Sequence, residues 1–206
     1  MPTGSLKEKG KKILVLASSS PQRLKLLNQI GIYPDKVDPA DLNEKILLKE
    51  KPKDYAYRMS LEKARIVFKR NPYSYILSGD TIVSVGRRIL GKPKDRNEAF
   101  TFLKLLNGRR HKVISAVTLI TPLAKEISKT VISQVKLSHL TDYQLNEYIE
   151  TGEWKERAGG YAIQGLASSF IPWINGSYSG VVGFPLNEVK NILLGAGWKS
   201  KKNENN

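Results

Sequence analysis

Two ionisable residues set inside otherwise apolar patterns hold most of the chemistry this chain could perform. In Leu77-Ser78-Gly79-Asp80-Thr81-Ile82-Val83 a carboxylate and a hydroxyl interrupt what reads as buried strand. Taking an unpaired carboxylate out of water is costly, so Asp80 needs a cation, a metal ion or the edge of a solvent-filled cleft. The plainer alternative is a hairpin corner at Gly79-Asp80 whose aspartate bonds its own backbone. The second residue is Lys63. On a helix expected from about Asp54 to Arg70, Arg58, Glu62, Arg65 and Lys69 share one side, while Ala56, Met59, Ala64, Ile66 and Val67 share the other. Lys63 falls in the apolar arc, where it either snorkels out to water or leans over a cleft holding an anion.

Further cationic and hydroxyl groups suit the same chemistry. Ser18, Ser19 and Ser20 stand between an expected strand and an expected helix, where free backbone N–H groups and the positive helix end favour an anion, and Arg23 lies one turn in. Simple N-capping accounts for Ser20 alone. Gly86-Arg87-Arg88-Ile89-Leu90-Gly91-Lys92-Pro93 imitates the spacing of a phosphate-binding P-loop, but Pro93 stands where the metal-binding Ser or Thr belongs, which excludes that class of ATPase and GTPase. Lys92 can still meet phosphate as a point charge, because Gly91 lets the chain come close to a ligand and Pro93 stiffens it. A plain turn lysine is the competing reading.

Other chemistries are excluded. The chain has no cysteine, hence no disulfide, thiolate zinc site or thiol nucleophile. His111 and His139 have no companion at metal-ligand spacing and read as a structural and a surface histidine. Gly176-Ser177-Tyr178-Ser179-Gly180 has tyrosine where a serine-hydrolase nucleophile would stand. The sequon at Asn175-Gly176-Ser177 reads as a turn.

The elements that must position these groups follow from periodicity and punctuation. A buried strand is expected at Ile13 to Ala17, then a helix opened by Ser20-Pro21, running to about Ile30 and stopped by Gly31. Tyr33 to Lys53 is an irregular connection carrying Glu44. After the Asp54–Arg70 helix, Tyr75 to Pro93 reads as strands broken by the turn Gly86-Arg87-Arg88. Asp95 with Glu98 opens a helix to Asn107. Val113 to Ile120 and Glu126 to Leu137 read as an antiparallel pair. Thr141 with Gln144 caps a helix ended by Gly152, Gly159 to Gly165 forms a loop, Ser169 to Ile174 a strand, and Pro185 to Leu194 the last helix. Helices and strands alternate without repeat or linker, which points to one α/β unit, two-lobed over a mixed sheet, spanning 1–206.

The chain of 206 residues is 40% hydrophobic and 26% charged, ordinary for a globular protein. No stretch approaches the ~20 apolar residues a bilayer span needs, and the lysine-rich N-terminus lacks an apolar signal core, so a cytoplasmic protein is expected. The formal net charge is +15, of which basic tails at 1–12 and 199–206 hold +5, seven lysines against two glutamates. The remaining +10 is spread without aromatic interleaving, so nucleic-acid binding is open but unsupported.

Taken together, Leu16-Ala17-Ser18-Ser19-Ser20-Pro21-Gln22-Arg23, Glu44, Glu62-Lys63-Ala64, Ser78-Gly79-Asp80-Thr81-Ile82-Val83, Gly91-Lys92-Pro93, Leu106-Asn107-Gly108-Arg109-Arg110-His111-Lys112-Val113, Ala158-Gly159-Gly160-Tyr161-Ala162-Ile163-Gln164-Gly165 and Val182-Gly183-Phe184-Pro185 resemble the Maf family of nucleoside triphosphate pyrophosphatases. The order and spacing of these pieces carry the resemblance from Ile13 to Leu194. It implies an α/β fold with an elongated mixed central sheet flanked by helices, two lobes and a cleft between them, as in the inosine triphosphate pyrophosphatases. It implies hydrolysis of a nucleoside triphosphate to monophosphate and pyrophosphate with a divalent cation, magnesium or manganese. The family is cytoplasmic, often dimeric, and linked to cleansing nucleotide pools and to inhibition of septum formation. By the resemblance, Asp80 is the proton acceptor and Glu44 an acidic metal ligand beside it. Ser18, Arg23, Lys63 and Lys92 line the phosphates, and Gln22, Thr81 and Gln164 match positions tied to substrate choice. Thr81 resembles the dTTP and UTP branch. Gln22 departs from the arginine of many relatives and removes a charge near the substrate, and Ser179-Gly180 replaces a bulkier pair. A division regulator with little catalysis and a basic nucleic-acid-binding protein are the rival expectations.

Overall fold

The computed structural model describes residues 13–199; the tails, apart from Lys199, lie outside the described residues. A seven-stranded mixed sheet runs through it in the order β2-β1-β3-β5-β6-β7, with β4 paired to β3. β1 (Leu14–Ala17) is buried along its whole length and lies parallel to β2 (Lys36–Val37) and to the first half of β3 (Tyr75–Val85). β4 (Arg88–Leu90), β5 (Arg110–Ile120), β6 (Glu126–Lys136) and β7 (Trp173–Asn175) run antiparallel to their neighbours. The long β5–β6 hairpin follows from two β-rich runs joined by a tight turn, as expected.

β3 decides where a site can form. It is one continuous strand, with Gly79 paired to Val117 and Asp80 to Ala116, so Gly79-Asp80 is not the hairpin corner considered above. β5 occupies one edge of β3 from Ile76 to Ser84. On the other edge β1 pairs with residues 75–78 and β4 with 83–85, and neither pairs with 79–82. That edge is therefore split, and Asp80 and Thr81 sit in the gap. Gly79 is required there by close packing: a Cβ on it would lie 2.6 Å from Phe184 Cε2 and 3.1 Å from the Ala116 carbonyl oxygen.

Alternation along β3 separates two layers. Ile76, Ser78, Asp80 and Ile82 face α2 (Pro52–Arg70), which buries Ala56, Met59, Ala64 and Val67 against the sheet. Pro52 occupies the first helical turn, so α2 opens earlier than the expected Asp54. On the opposite face the core has two clusters. Leu77, Val117 and Phe184 pack with α1 (Pro21–Gln29) and α6 (Leu186–Gly195), while Val83, Val113 and Val135 pack with α3 (Arg96–Leu106) and α4 (Asp142–Glu150). The cap of α3 forms through Asp95, which accepts from the Glu98 N–H, and α4 carries both halves of its capping box.

One local expectation is corrected. The strand expected over Ser169–Ile174 is a 3-10 turn over Leu166–Phe170 followed by the short β7, because Ala167 and Phe170, three residues apart, both drop into the core. A short helix, α5 (Tyr178–Val182), follows the Asn175–Ser177 segment, capped by Ser177 Oγ accepting from the Gly180 N–H.

Candidate active site

A cleft of about 730 Å³ opens along the split edge of β3. Its walls come from the end of β1 and the serine loop, the irregular 38–51 connection, the turn after β4 and the loop from Glu156 to Gln164. Every candidate site residue except Gln22 lines it: Ser18, Arg23, Glu44, Lys63, Asp80, Thr81, Lys92 and Gln164. Gln22 stays half-buried on the first turn of α1 but off the cleft wall.

Asp80 is 5% exposed, and its Oδ1 accepts a hydrogen bond from Lys63 Nζ at 2.7 Å. The same Nζ lies 2.7 Å from Glu44 Oε1. Lys63 therefore does not snorkel to water; it is buried, with its ammonium between two carboxylates. Burial pushes the Asp80 carboxyl above its usual range, opposed by Lys63 and then Arg23 and reinforced by Glu44. Desolvation, then, favours the protonated acid, while the neighbouring cations keep the carboxylate accessible.

Arg23 ties the opposite wall together. Its Nε donates to the Gly183 carbonyl at 3.0 Å, Nη1 to Ser18 Oγ at 3.0 Å and Nη2 to Thr81 Oγ1 at 3.4 Å. Its guanidinium carbon stands 6.0 Å from the centre of the Phe184 ring. Burial lowers its pKa, with Asp80 and then Glu44 acting against that. Thr81 Oγ1 also bonds Gly183 O and lies 3.1 Å from Ser115 Oγ, which donates to Gly180 O. Ser18 serves as a hub, its Oγ also accepting from the Ser20 N–H, and Ser20 makes no side-chain cap. Lys92 is exposed and pairs at 2.5 Å with Glu156.

The segment bearing Glu44 has no regular structure of its own, and α2 fastens it. Tyr55 donates its hydroxyl to Glu44 O at 3.0 Å, and Arg58 holds Glu50 through two contacts of 2.7 Å while reaching Lys45 O. Helical periodicity put Arg58 on a solvated side and gave no sign of this clamp. Ser115, Arg157 and Glu156 belong to no pattern that local spacing reveals, although the last two abut the Ala158-Gly159-Gly160 motif. In the wall beyond, Gly159 adopts φ 70°, and a Cβ on it would press on Val83 at 2.8 Å. His111 Nε2 and the Tyr161 hydroxyl, 2.7 Å apart, brace that wall from behind, so His111 is structural, as expected.

Glu44 and Asp80 are the groups that could hold a metal ion. Among the described residues no cluster of three or more His, Cys, Asp or Glu is arranged for one. Two carboxylates converging on one cationic centre nevertheless match what a hard divalent ion asks of a protein when phosphate oxygens and water complete its shell. The donor set therefore fits magnesium or manganese.

The sequence profile of a family described as Maf-like protein matches residues 13–196. A dTTP/UTP pyrophosphatase of Rhodospirillum rubrum is 48% identical over 186 residues, covering 90% of this chain and 89% of that protein. A dTTP/UTP pyrophosphatase of Caulobacter vibrioides is 47% identical, covering 90% and 96%. Among solved structures, a HAM1 protein from Coxiella burnetii superposes with a TM-score of 0.50 at 12% identity, covering 90% of this chain and 100% of that one, a likeness of fold.

Proposed function

The chain belongs to the Maf family, and from that premise we propose that it hydrolyses a nucleoside triphosphate, dTTP or UTP, to the monophosphate and pyrophosphate. The observation that carries the reading is Asp80, buried in the gap of a split sheet edge and ion-paired to Lys63 at 2.7 Å inside a cleft of about 730 Å³. Cavities of roughly 300–1,000 Å³ accommodate ligands of nucleotide size.

Water attacks the α-phosphorus opposite the bridging oxygen, the bond from that phosphorus to the bridging oxygen breaks, and pyrophosphate leaves. Asp80 takes the proton from the attacking water, and Lys63 holds its carboxylate in place. Arg23 and Ser18 on one wall and Lys92 on the other meet the phosphates, placing fixed charge where negative charge redistributes. Arg23 and Thr81 share Gly183 O, so phosphate binding and the hydroxyl at the specificity position are mechanically joined. Glu44 and Asp80 would hold a divalent cation, magnesium or manganese, which when bound neutralises phosphate charge and polarises a phosphoryl oxygen. Gln164, exposed at the cleft wall, meets the nucleoside end. The reading extends to a single Maf-like α/β domain with basic tails at 1–12 and 199–206, to a cytoplasmic enzyme of the nucleotide pool and to a homodimer. No helix among the described residues is long and apolar enough to cross a membrane.

The test is pyrophosphate release across a panel of nucleoside triphosphates, with Asp80→Asn alongside. Asp80→Asn should lower kcat by about 10²–10⁴-fold with an unchanged circular dichroism spectrum. A folded Asp80→Asn protein that turns over at the wild-type rate sinks the assignment.

A further inference from the structure

Three of the cations lining the cleft are already engaged. Lys63 holds Asp80 and Glu44, Arg23 holds Gly183 O, Ser18 and Thr81, and Lys92 holds Glu156. Arg157 also lines the cleft, and among the described residues its guanidinium makes no hydrogen bond or ion pair, with Nε buried and unpartnered. A buried N–H without an acceptor is unfavourable, and a guanidinium presents a donor fork suited to phosphate oxygens. Its neighbour Glu156 is a non-glycine residue with φ 59°, a conformation that residues with a Cβ adopt reluctantly. That backbone puts the Glu156 carboxylate on Lys92, across the cleft wall from its own segment.

We infer that Lys92 and Arg157 form a second phosphate clamp, for the leaving pyrophosphate end of the substrate, and that the Glu156 carboxylate fills this anion site until the substrate displaces it. The inference rests on reading the cleft as a triphosphate site. Both ends of the Lys92–Glu156 pair are more than half exposed, at 59% and 80%, so water screens the contact and an incoming phosphate displaces it easily. Glu156 acts as an internal competitor that weakens ground-state binding and helps pyrophosphate to depart.

Titration calorimetry with inorganic pyrophosphate, run beside dTTP kinetics, tests this on the wild type, Arg157→Gln, Arg157→Lys and Glu156→Gln. Arg157→Gln should raise both the Kd for pyrophosphate and the KM for dTTP about tenfold, the scale of one charge-assisted contact, with kcat within about threefold. Arg157→Lys should fall between, and Glu156→Gln should lower the Kd about two- to fivefold. A merely structural arginine would instead lower the melting temperature and leave the Kd of the folded protein unchanged. If the wild type binds and releases pyrophosphate but Arg157→Gln binds it equally well, the clamp is overturned and the hydrolase reading stands. If the wild type neither binds nor releases it, that reading falls and the clamp falls with it.

Discussion

Acid should unlock the cleft wall through one imidazole. His111 on β5 is 3% exposed, its ring meets Tyr161 edge-on at 5.4 Å between centres, and the Tyr161 hydroxyl occupies Nε2. Burial pulls its pKa from 6.5 down to about 4. The unfolded chain therefore takes up a proton that the folded protein refuses. This group's contribution is complete above pH 6.5 and is lost as the pH falls towards 4. The full loss is about 3 kcal/mol, most of it gone by about pH 4.5. Urea unfolding at about pH 7.5 and about pH 4.5, on wild type and His111→Gln, measures it. Glutamine does not titrate but can still meet the Tyr161 hydroxyl. Asp38, Glu50, Glu126 and Glu156, whose pKa values are lowered mainly by hydrogen bonds to Asn71, Arg58, Arg65 and Lys92, lose stability over the acid range in both proteins. The readout is thus the difference between the two losses, expected at about 2–3 kcal/mol in favour of the variant. Equal losses would refute the assignment of His111 as a buried neutral brace.

Other outcomes follow from the same geometry. Lys63→Met removes the partner of both Asp80 and Glu44; leaving one buried charge without its mate costs about 3–5 kcal/mol unless it takes up a proton, so both thermal stability and pyrophosphate release should drop, and wild-type kinetics would contradict the role given to Lys63. Gly79→Ala should destabilise by about 1–3 kcal/mol by driving a methyl into Phe184, and pairing it with Phe184→Leu should recover part of that in a double-mutant cycle. Arg58→Ala frees the segment carrying Glu44, so manganese binding followed by electron paramagnetic resonance should weaken by about tenfold, whereas unaltered binding would show that the clamp does not position Glu44.

Much of the scaffold was legible because periodicity and punctuation are local. The Asp95 and Thr141 caps, the β5–β6 pair and the apolar arc of α2 all sit where residue spacing puts them. The 3-10 turn at Leu166–Phe170 was not legible, since the core contacts of Ala167 and Phe170 override the strand preference of the segment. Gln22 was marked by the family resemblance alone, and its place on the first turn of α1 leaves it off the cleft wall. The Arg58 clamp and the unpartnered Arg157 are invisible in sequence, because surface and cleft arginines look alike until the backbone beside them is placed.

Residue types alone determined which groups could act: an aspartate in an apolar strand, a lysine in an apolar helical arc, and hydroxyls and an arginine at a strand-to-helix junction. They also removed thiol, thiolate-zinc and P-loop chemistry. What only the tertiary structure decided is that these groups meet. β1 stops at Ala17, opposite Ser78, and β4 ends at Leu90, opposite Val83, both on the same edge of β3; in the unpaired stretch between them Asp80 meets Lys63 from the layer beneath, and Lys63 in turn meets Glu44 from an irregular segment. Strand pairing between segments remote in the chain creates that gap, and no local pattern records it.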